Sequence, residues 1–115
     1  MIDKTITVHT EDGIWLLGDI EGYPFQAKVC DEASGFGIDY GRVIKLHLFA
    51  KDQKRELFAY ERGWDKYPHG GAKTLARALI RFCESLPMQD VWRGTFREER
   101  RFLVTDEDVL EYEND

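Results

Sequence analysis

The sequence predicts an α+β domain in which an antiparallel meander of about five strands packs against one amphipathic helix at about 71–86. A C-terminal extension carrying a short helix follows. Three observations lead there. Apolar and polar residues alternate through most of residues 2–62, the pattern of strands with one buried face. Short turn signals separate these runs, so consecutive strands pair as neighbours. After Pro68-His69-Gly70-Gly71 the apolar spacing becomes that of a helix.

The first strand spans 2–10, with Ile2, Ile6 and Val8 on one side and Lys4, Thr7 and His9 on the other. Glu11-Asp12-Gly13 supplies hairpin chemistry, because the Asp-Gly pair tolerates the positive φ of a tight turn. Ile14–Ile20 is apolar on both faces at its start and reads as a central strand. Glu21-Gly22 turns the chain again, and Tyr23–Val29 gives the cleanest alternation, with Pro24 acceptable near a strand start. Asp31–Arg42 reads as a loop, made permissive by Gly35, Gly37 and Gly41. In the fourth strand, Val43–Ala50, Ile44, Leu46, Leu48 and Ala50 face inward, while Lys45 and His47 face outward beside Val43 and Phe49. Lys51–Lys54 turns into a fifth strand, Arg55–Arg62.

On the helix, Leu75, Leu79, Phe82, Cys83 and Leu86 form one stripe that ends at Pro87, and Lys73, Arg77 and Arg81 lie on another face. Two readings fit 91–104: a hairpin of Val91–Phe96 with Arg101–Val104, or a helix over Phe96–Val104. Thr105 as N-cap, Asp108 at the third helical position and a Val104/Val109 staple predict a short helix at 106–113, against the rival of a frayed acidic tail. The plan is one domain over 1–104 and an acidic helix or tail over 105–115, with no internal repeat.

At 115 residues, with 43% apolar, 33% charged and 13% aromatic residues, the composition excludes wholesale disorder. The longest apolar run, Ile14–Leu17, is too short to span a membrane, and the N-terminus carries no basic and apolar signal pattern. Cys30 and Cys83 lack metal or redox spacing and read as buried thiols of a reducing compartment. A cytoplasmic protein with no membrane association is expected. The net charge of −6 conceals three blocks: −6 over 1–41, +6 over 42–105 and −6 over 106–115. Such asymmetry points to charged partners, unless the blocks neutralise one another in the fold.

Catalytic chemistry is not visible. Gly70-Gly71-Ala72-Lys73-Thr74 superficially resembles a phosphate loop, but Ala72 stands where the motif needs glycine. His9, His47 and His69 are dispersed, which predicts no metal and no cofactor. Cys83 belongs to the core stripe, Cys30 has no neighbouring base, and Ser34 and Ser85 have no triad context. The expectation is a protein that is not an enzyme.

Two segments suggest binding. Between strand and helix, Arg62, Trp64, Asp65, Tyr67 and His69 combine rigid rings with charge, the composition of protein-binding surfaces. The plainer alternative is that Trp64 plugs the end of the sheet–helix sandwich with Tyr67 lying over it, and Arg62 pairs with Asp65. The second segment is basic: Lys73, Arg77 and Arg81, followed by Arg93, Arg97, Arg100 and Arg101, form a candidate nucleic-acid surface. An isoelectric point near 5.1 and the acidic tail oppose it, and the tail could compete for the same cations. The exposed strands Tyr23–Val29 and Val43–Ala50 also allow a homodimer.

Three stretches carry a family resemblance: Trp15-x-x-Gly18-x-Ile20-x-Gly22-Tyr23-x-Phe25-x-Ala27-Lys28-Val29; Ser34-x-Phe36-Gly37-Ile38-x-x-Gly41-Arg42-Val43-x-Lys45-Leu46; and Tyr60-x-Arg62-Gly63-Trp64-Asp65. Over about residues 13–86 the chain resembles a small uncharacterised domain, a domain of unknown function common in Firmicutes chromosomes, prophages and other mobile elements. The resemblance implies a compact α+β domain and a link to mobile DNA, and no catalytic residue. The resulting expectation is a non-enzymatic protein-binding module, in that setting an inhibitor of a nucleic-acid-handling defence complex. The alternative is a nucleic-acid-binding accessory protein that uses the basic 73–101 block, with an autoinhibitory acidic tail.

Overall fold

Alternation carries the first part of the chain into strands because a one-residue slip would move every apolar side chain from core to solvent. The computed structural model describes residues 2–12, 15–88 and 99–104. Strands β1 (Ile2–Asp12), β2 (Trp15–Ile20), β3 (Tyr23–Val29), β4 (Val43–Phe49), β5 (Glu56–Glu61) and β6 (Trp64–Lys66) run as an antiparallel meander. Helix α1 (Gly71–Glu84) follows, and β7 (Glu99–Val104) then pairs antiparallel with β1. The sheet order is β6-β5-β4-β3-β2-β1-β7.

The meander therefore has six strands ahead of the helix, one more than the five expected. The extra strand is β6, which the sequence places in a connection. Arg62 takes a left-handed conformation (φ 60°) and its N–H donates to the Ile44 carbonyl at 2.9 Å, while the Glu61 N–H donates to the Gly63 carbonyl at 2.8 Å. This reversal is so tight that Trp64 comes back opposite Tyr60. A turn that short leaves only Gly63 as a sequence mark.

Helix α1 ends at Glu84, two residues before the expected limit, but Leu86 stays buried because the chain continues in a turn, with the Leu86 N–H on the Cys83 carbonyl. Residues 99–104 form a strand, so the helical reading of that stretch is corrected; their partner is β1. The proposed hairpin arm Val91–Phe96, the helix at 106–113 and the acidic tail lie outside the described residues, as does the turn residue Gly13. The Glu21-Gly22 turn is as expected, with both residues at positive φ (49° and 83°), the geometry that matches strand twist in a two-residue hairpin.

One face of the sheet is buried. Ile6, Leu16, Ile20, Phe25, Leu46, Leu48 and Phe58 pack with Leu75, Leu79, Phe82 and Cys83 of the helix stripe. Each fully buried side chain of this size stabilises by about 1.5–3 kcal/mol. Val43, expected outward, is buried too, because the register shifts between Lys28 and Val29. Cys83 is buried as expected, but Cys30, at the end of β3, is only half-buried. Gly18 is required by a close approach: a Cβ there would stand 2.1 Å from the Thr7 carbonyl oxygen of β1.

The opposite face is open and arranged in cross-strand rows. Trp15, Lys28, Lys45 and Glu61 form one row, and Leu17, Gln26, His47 and Ala59 the next. Lys28 and Lys45 face each other, a like-charge pair that would destabilise the sheet. Both ammonium groups lie over the Trp15 ring, at 5.4 and 5.5 Å, and Lys45 also meets Glu61 at 3.1 Å. No helix among the described residues is long and apolar enough to cross a membrane.

Candidate functional site

The site is built on the 30–42 loop, which the sequence presents as permissive and the structure holds closed. The Ser34 N–H donates to the Gly41 carbonyl at 2.9 Å, and the Cys30 N–H to the Arg42 carbonyl at 2.9 Å. The guanidinium of Arg42 donates to the carbonyls of Cys30 (2.8 Å), Glu84 (3.1 Å), Pro87 (3.2 Å) and Leu86. In return, the Glu84 carboxylate accepts the N–H groups of Arg42 (2.7 Å) and Val43 (3.3 Å). The helix end and the loop base are thereby one unit.

At the loop tip, Ile38–Tyr40 makes a single 3₁₀ turn in which Asp39 and Tyr40 are both left-handed (φ 52° and 60°). Two consecutive residues of this kind carry strain, which persists only where surrounding contacts fix the chain. Tyr60 of β5 supplies one such contact, its hydroxyl donating to the Phe36 carbonyl at 2.9 Å. Burial, and then the electrostatic influence of Asp39 and Tyr40, raise the Tyr60 pKa above its usual value, so the hydroxyl remains a donor.

Opposite the tip stands the β6–α1 connection. Trp64 packs edge-on against Phe58 and Tyr60, with ring centroids 6.1 and 5.1 Å away, and Tyr67 stacks on Trp64 at 5.2 Å and 23°. Trp64 thus does plug the end of the sandwich with Tyr67 lying over it, as the plainer alternative expects, and Tyr67 remains 62% exposed. Phe36 and Tyr40 are 61% and 80% exposed. Arg62 lies over the Phe36 ring at 5.9 Å, not against Asp65, so the expected Arg62–Asp65 pair is not made.

Between tip and connection lies a pocket of about 220 Å³ lined by Ile38, Asp39, Trp64, Tyr67, Pro68, Lys73 and Arg77. It joins residues from both sequence-derived groups, Trp64 and Tyr67 from one and Lys73 and Arg77 from the other. Asp65 and His69 are exposed next to it in sequence and do not line it. The basic stripe is less solvated than its spacing implies: Lys73 is exposed, but Arg77 and Arg81 are half-buried, with their Nε atoms covered. Arg100 and Arg101 lie on β7, at the opposite edge of the sheet from β6. Arg97 lies outside the described residues. A larger concavity of about 530 Å³ on the open sheet face includes Leu17, Pro24, Gln26 and Phe49. Two of its polar side chains, His9 and Asp19, are hydrogen-bonded to each other at 2.6 Å.

A family model described as a domain of unknown function (DUF7678) matches residues 14–84, more than half of the sequence. The chain belongs to that family. No curated protein and no solved structure matches it. The DUF7678 stretch begins at β2 and ends on Glu84, so it contains the Arg42–Glu84 clamp and the pocket, and leaves out β1 and β7.

Sequence reasoning misses Phe36, Asp39 and Tyr40 in this DUF7678 domain, because three glycines make their loop look permissive. A signal was present. Phe36 and Tyr40 each precede a glycine, Gly37 and Gly41, that has no room for a side chain: a Cβ on Gly37 would stand 2.0 Å from the Gly41 carbonyl oxygen. Large rings beside glycines that close a loop are displayed by it, not buried under it.

Proposed function

We propose that this domain is a non-enzymatic module that binds a protein partner through the corner formed by the 34–41 loop tip and the β6–α1 connection. The observation that carries the reading is the exposure of three large rings, Phe36, Tyr40 and Tyr67, on a backbone locked from below. Aromatic and arginine side chains dominate binding energy at protein interfaces, and rings already held in place lose little entropy on contact. Tyr67 covers Trp64 and still presents most of its surface to solvent, where a partner can meet it. The resemblance to domains of Firmicutes chromosomes, prophages and mobile elements supports a narrower version, in which the partner belongs to a nucleic-acid-handling defence complex.

Affinity capture tests the reading, comparing the wild-type chain with a Phe36→Ala/Tyr67→Ala variant of equal thermal stability. A partner retained by the first and lost by the second is the expected result. Equal capture by both would move the binding surface elsewhere.

A further inference from the structure

The pocket at this corner has a chemistry that narrows the partner. This step rests on the corner reading above. Two of its walls are the stacked rings of Trp64 and Tyr67, and another is the first two turns of α1, which bring Lys73 and Arg77 to it. Those two cations are four residues apart on the helix, so their stems emerge about 5–6 Å from one another on one side. Cations set against apolar walls favour an anion on an apolar stem, because a charge-assisted hydrogen bond strengthens when rings exclude water from it. The anion is a single one. Asp39 lines the same pocket, and Asp65 and Glu61 are exposed on the adjoining strands. A nucleic-acid strand, with a phosphate at every nucleotide, would bring further negative charges against those carboxylates. One isolated carboxylate meets Asp39 alone of these.

We propose that the pocket receives the carboxylate of one Asp or Glu side chain of the protein partner, with Lys73 as its charged partner. Apolar residues flanking that acid in the partner rest on Tyr67 and Phe36. The partner segment is therefore an apolar one with a single acidic residue, not an acidic tract.

Random dodecapeptides displayed on phage and selected on the immobilised full chain test this. The expected winners carry one Asp or Glu beside an aromatic or aliphatic residue. A synthetic winner binds Lys73→Glu roughly tenfold more weakly, and recovers when its own acid is replaced by lysine. Both Lys73 and Tyr67 are exposed, so their variants keep the fold, checked by thermal melting. Winners that lack an acid but still require Tyr67 overturn the carboxylate inference and leave the corner reading standing. Winners indifferent to both Tyr67 and Phe36, or no enrichment at all, overturn both. Tighter binding of oligo-thymidylate than of any winner, lost in Lys73→Glu, assigns the pocket to nucleic acid and overturns the proposal.

Discussion

The carboxylate of Glu84, the last residue of α1, accepts the backbone N–H of Arg42 at 2.7 Å, while the Arg42 side chain donates back to the Glu84 carbonyl at 3.1 Å. The two residues are 42 positions apart. Their exchange satisfies helix-end carbonyls that would otherwise need water or a glycine cap. It also fixes the base of the loop whose tip displays Phe36 and Tyr40. Arg42→Ala should cost about 2–3 kcal/mol, since several partly buried carbonyls lose a charged donor together. Arg42→Lys should recover little, because one ammonium cannot reach carbonyls spread around a planar guanidinium. Urea unfolding midpoints measure both. A cost near zero for Arg42→Ala would show that water replaces the clamp.

The glycines of the sheet and its loops separate by the space around them. Gly18→Ala and Gly37→Ala each press a methyl group into a backbone carbonyl, at 2.1 and 2.0 Å, so strands or loop ends must part. Each should destabilise by about 1–3 kcal/mol. Gly63→Ala meets nothing within 4 Å and should be nearly neutral. Thermal melts of the three variants decide this.

Much of the fold was legible because it follows from period and turn chemistry. Tyr23–Val29 alternates without a break, and Leu75, Leu79 and Cys83 fall on one helix stripe. The illegible parts depend on contacts distant in sequence. Nothing local to Arg42 names Glu84 as its partner, and β6 exists because Arg62 bends the chain onto Ile44. The edge position of β7 is likewise set by pairing with β1, which no local pattern encodes. At the site, Trp64, Tyr67, Lys73 and Arg77 were visible as two separate suggestions. Their convergence was not, because the loop tip between them carries no periodic signal.

On the open face, His47 holds a carboxylate on each ring nitrogen: Glu56 on Nδ1 at 2.5 Å and Glu61 on Nε2 at 2.6 Å. Both nitrogens donate only in the protonated ring. Partial burial acts to lower its pKa, but the hydrogen bonds and charges of Glu56 and Glu61 outweigh it, and the folded value is raised above 6.5. A raised folded pKa stabilises the native state fully below the unfolded value, and that stabilisation is lost as pH rises through the folded value. The wild-type chain should therefore lose stability on going from below pH 6.5 to alkaline solution, and His47→Gln should lose less. For Glu61 the sign reverses: although burial opposes it, the His47 and Lys45 contacts lower its pKa, so its contribution disappears in acid. Urea midpoints of the two proteins across pH would show parallel profiles if His47 were uninvolved.

The two thiols should differ in reactivity. Cys83 is enclosed in the core, and burial, with the Glu84 charge adding to it and Arg42 opposing it, pushes its pKa up to about 12. A thiol reagent needs the thiolate and access to it, and Cys83 offers neither at neutral pH. Cys30 is half-buried and within reach. Native protein should titrate rapidly with Ellman's reagent at Cys30 alone, and unfolded protein at both. Rapid reaction of Cys83 in the native state would mean that α1 opens from the sheet readily.

Trp64 and Tyr67 stack on each other, but the fold and the proposed surface use them differently. Trp64 sits against Phe58 and Tyr60, and Trp64→Ala opens a cavity beside the sheet, costing about 2–4 kcal/mol. Tyr67 covers Trp64 from outside and is mostly in solvent, so Tyr67→Ala should cost under about 1 kcal/mol. Its effect on partner binding should be the larger one, because an exposed ring on a rigid base is where interface energy concentrates. Melting temperatures and captured partner, measured on the same two variants, separate the roles. If Tyr67→Ala lowered stability as much as Trp64→Ala and left capture unchanged, the pair would be a structural plug alone, and the binding surface would have to be sought on the open face of the sheet.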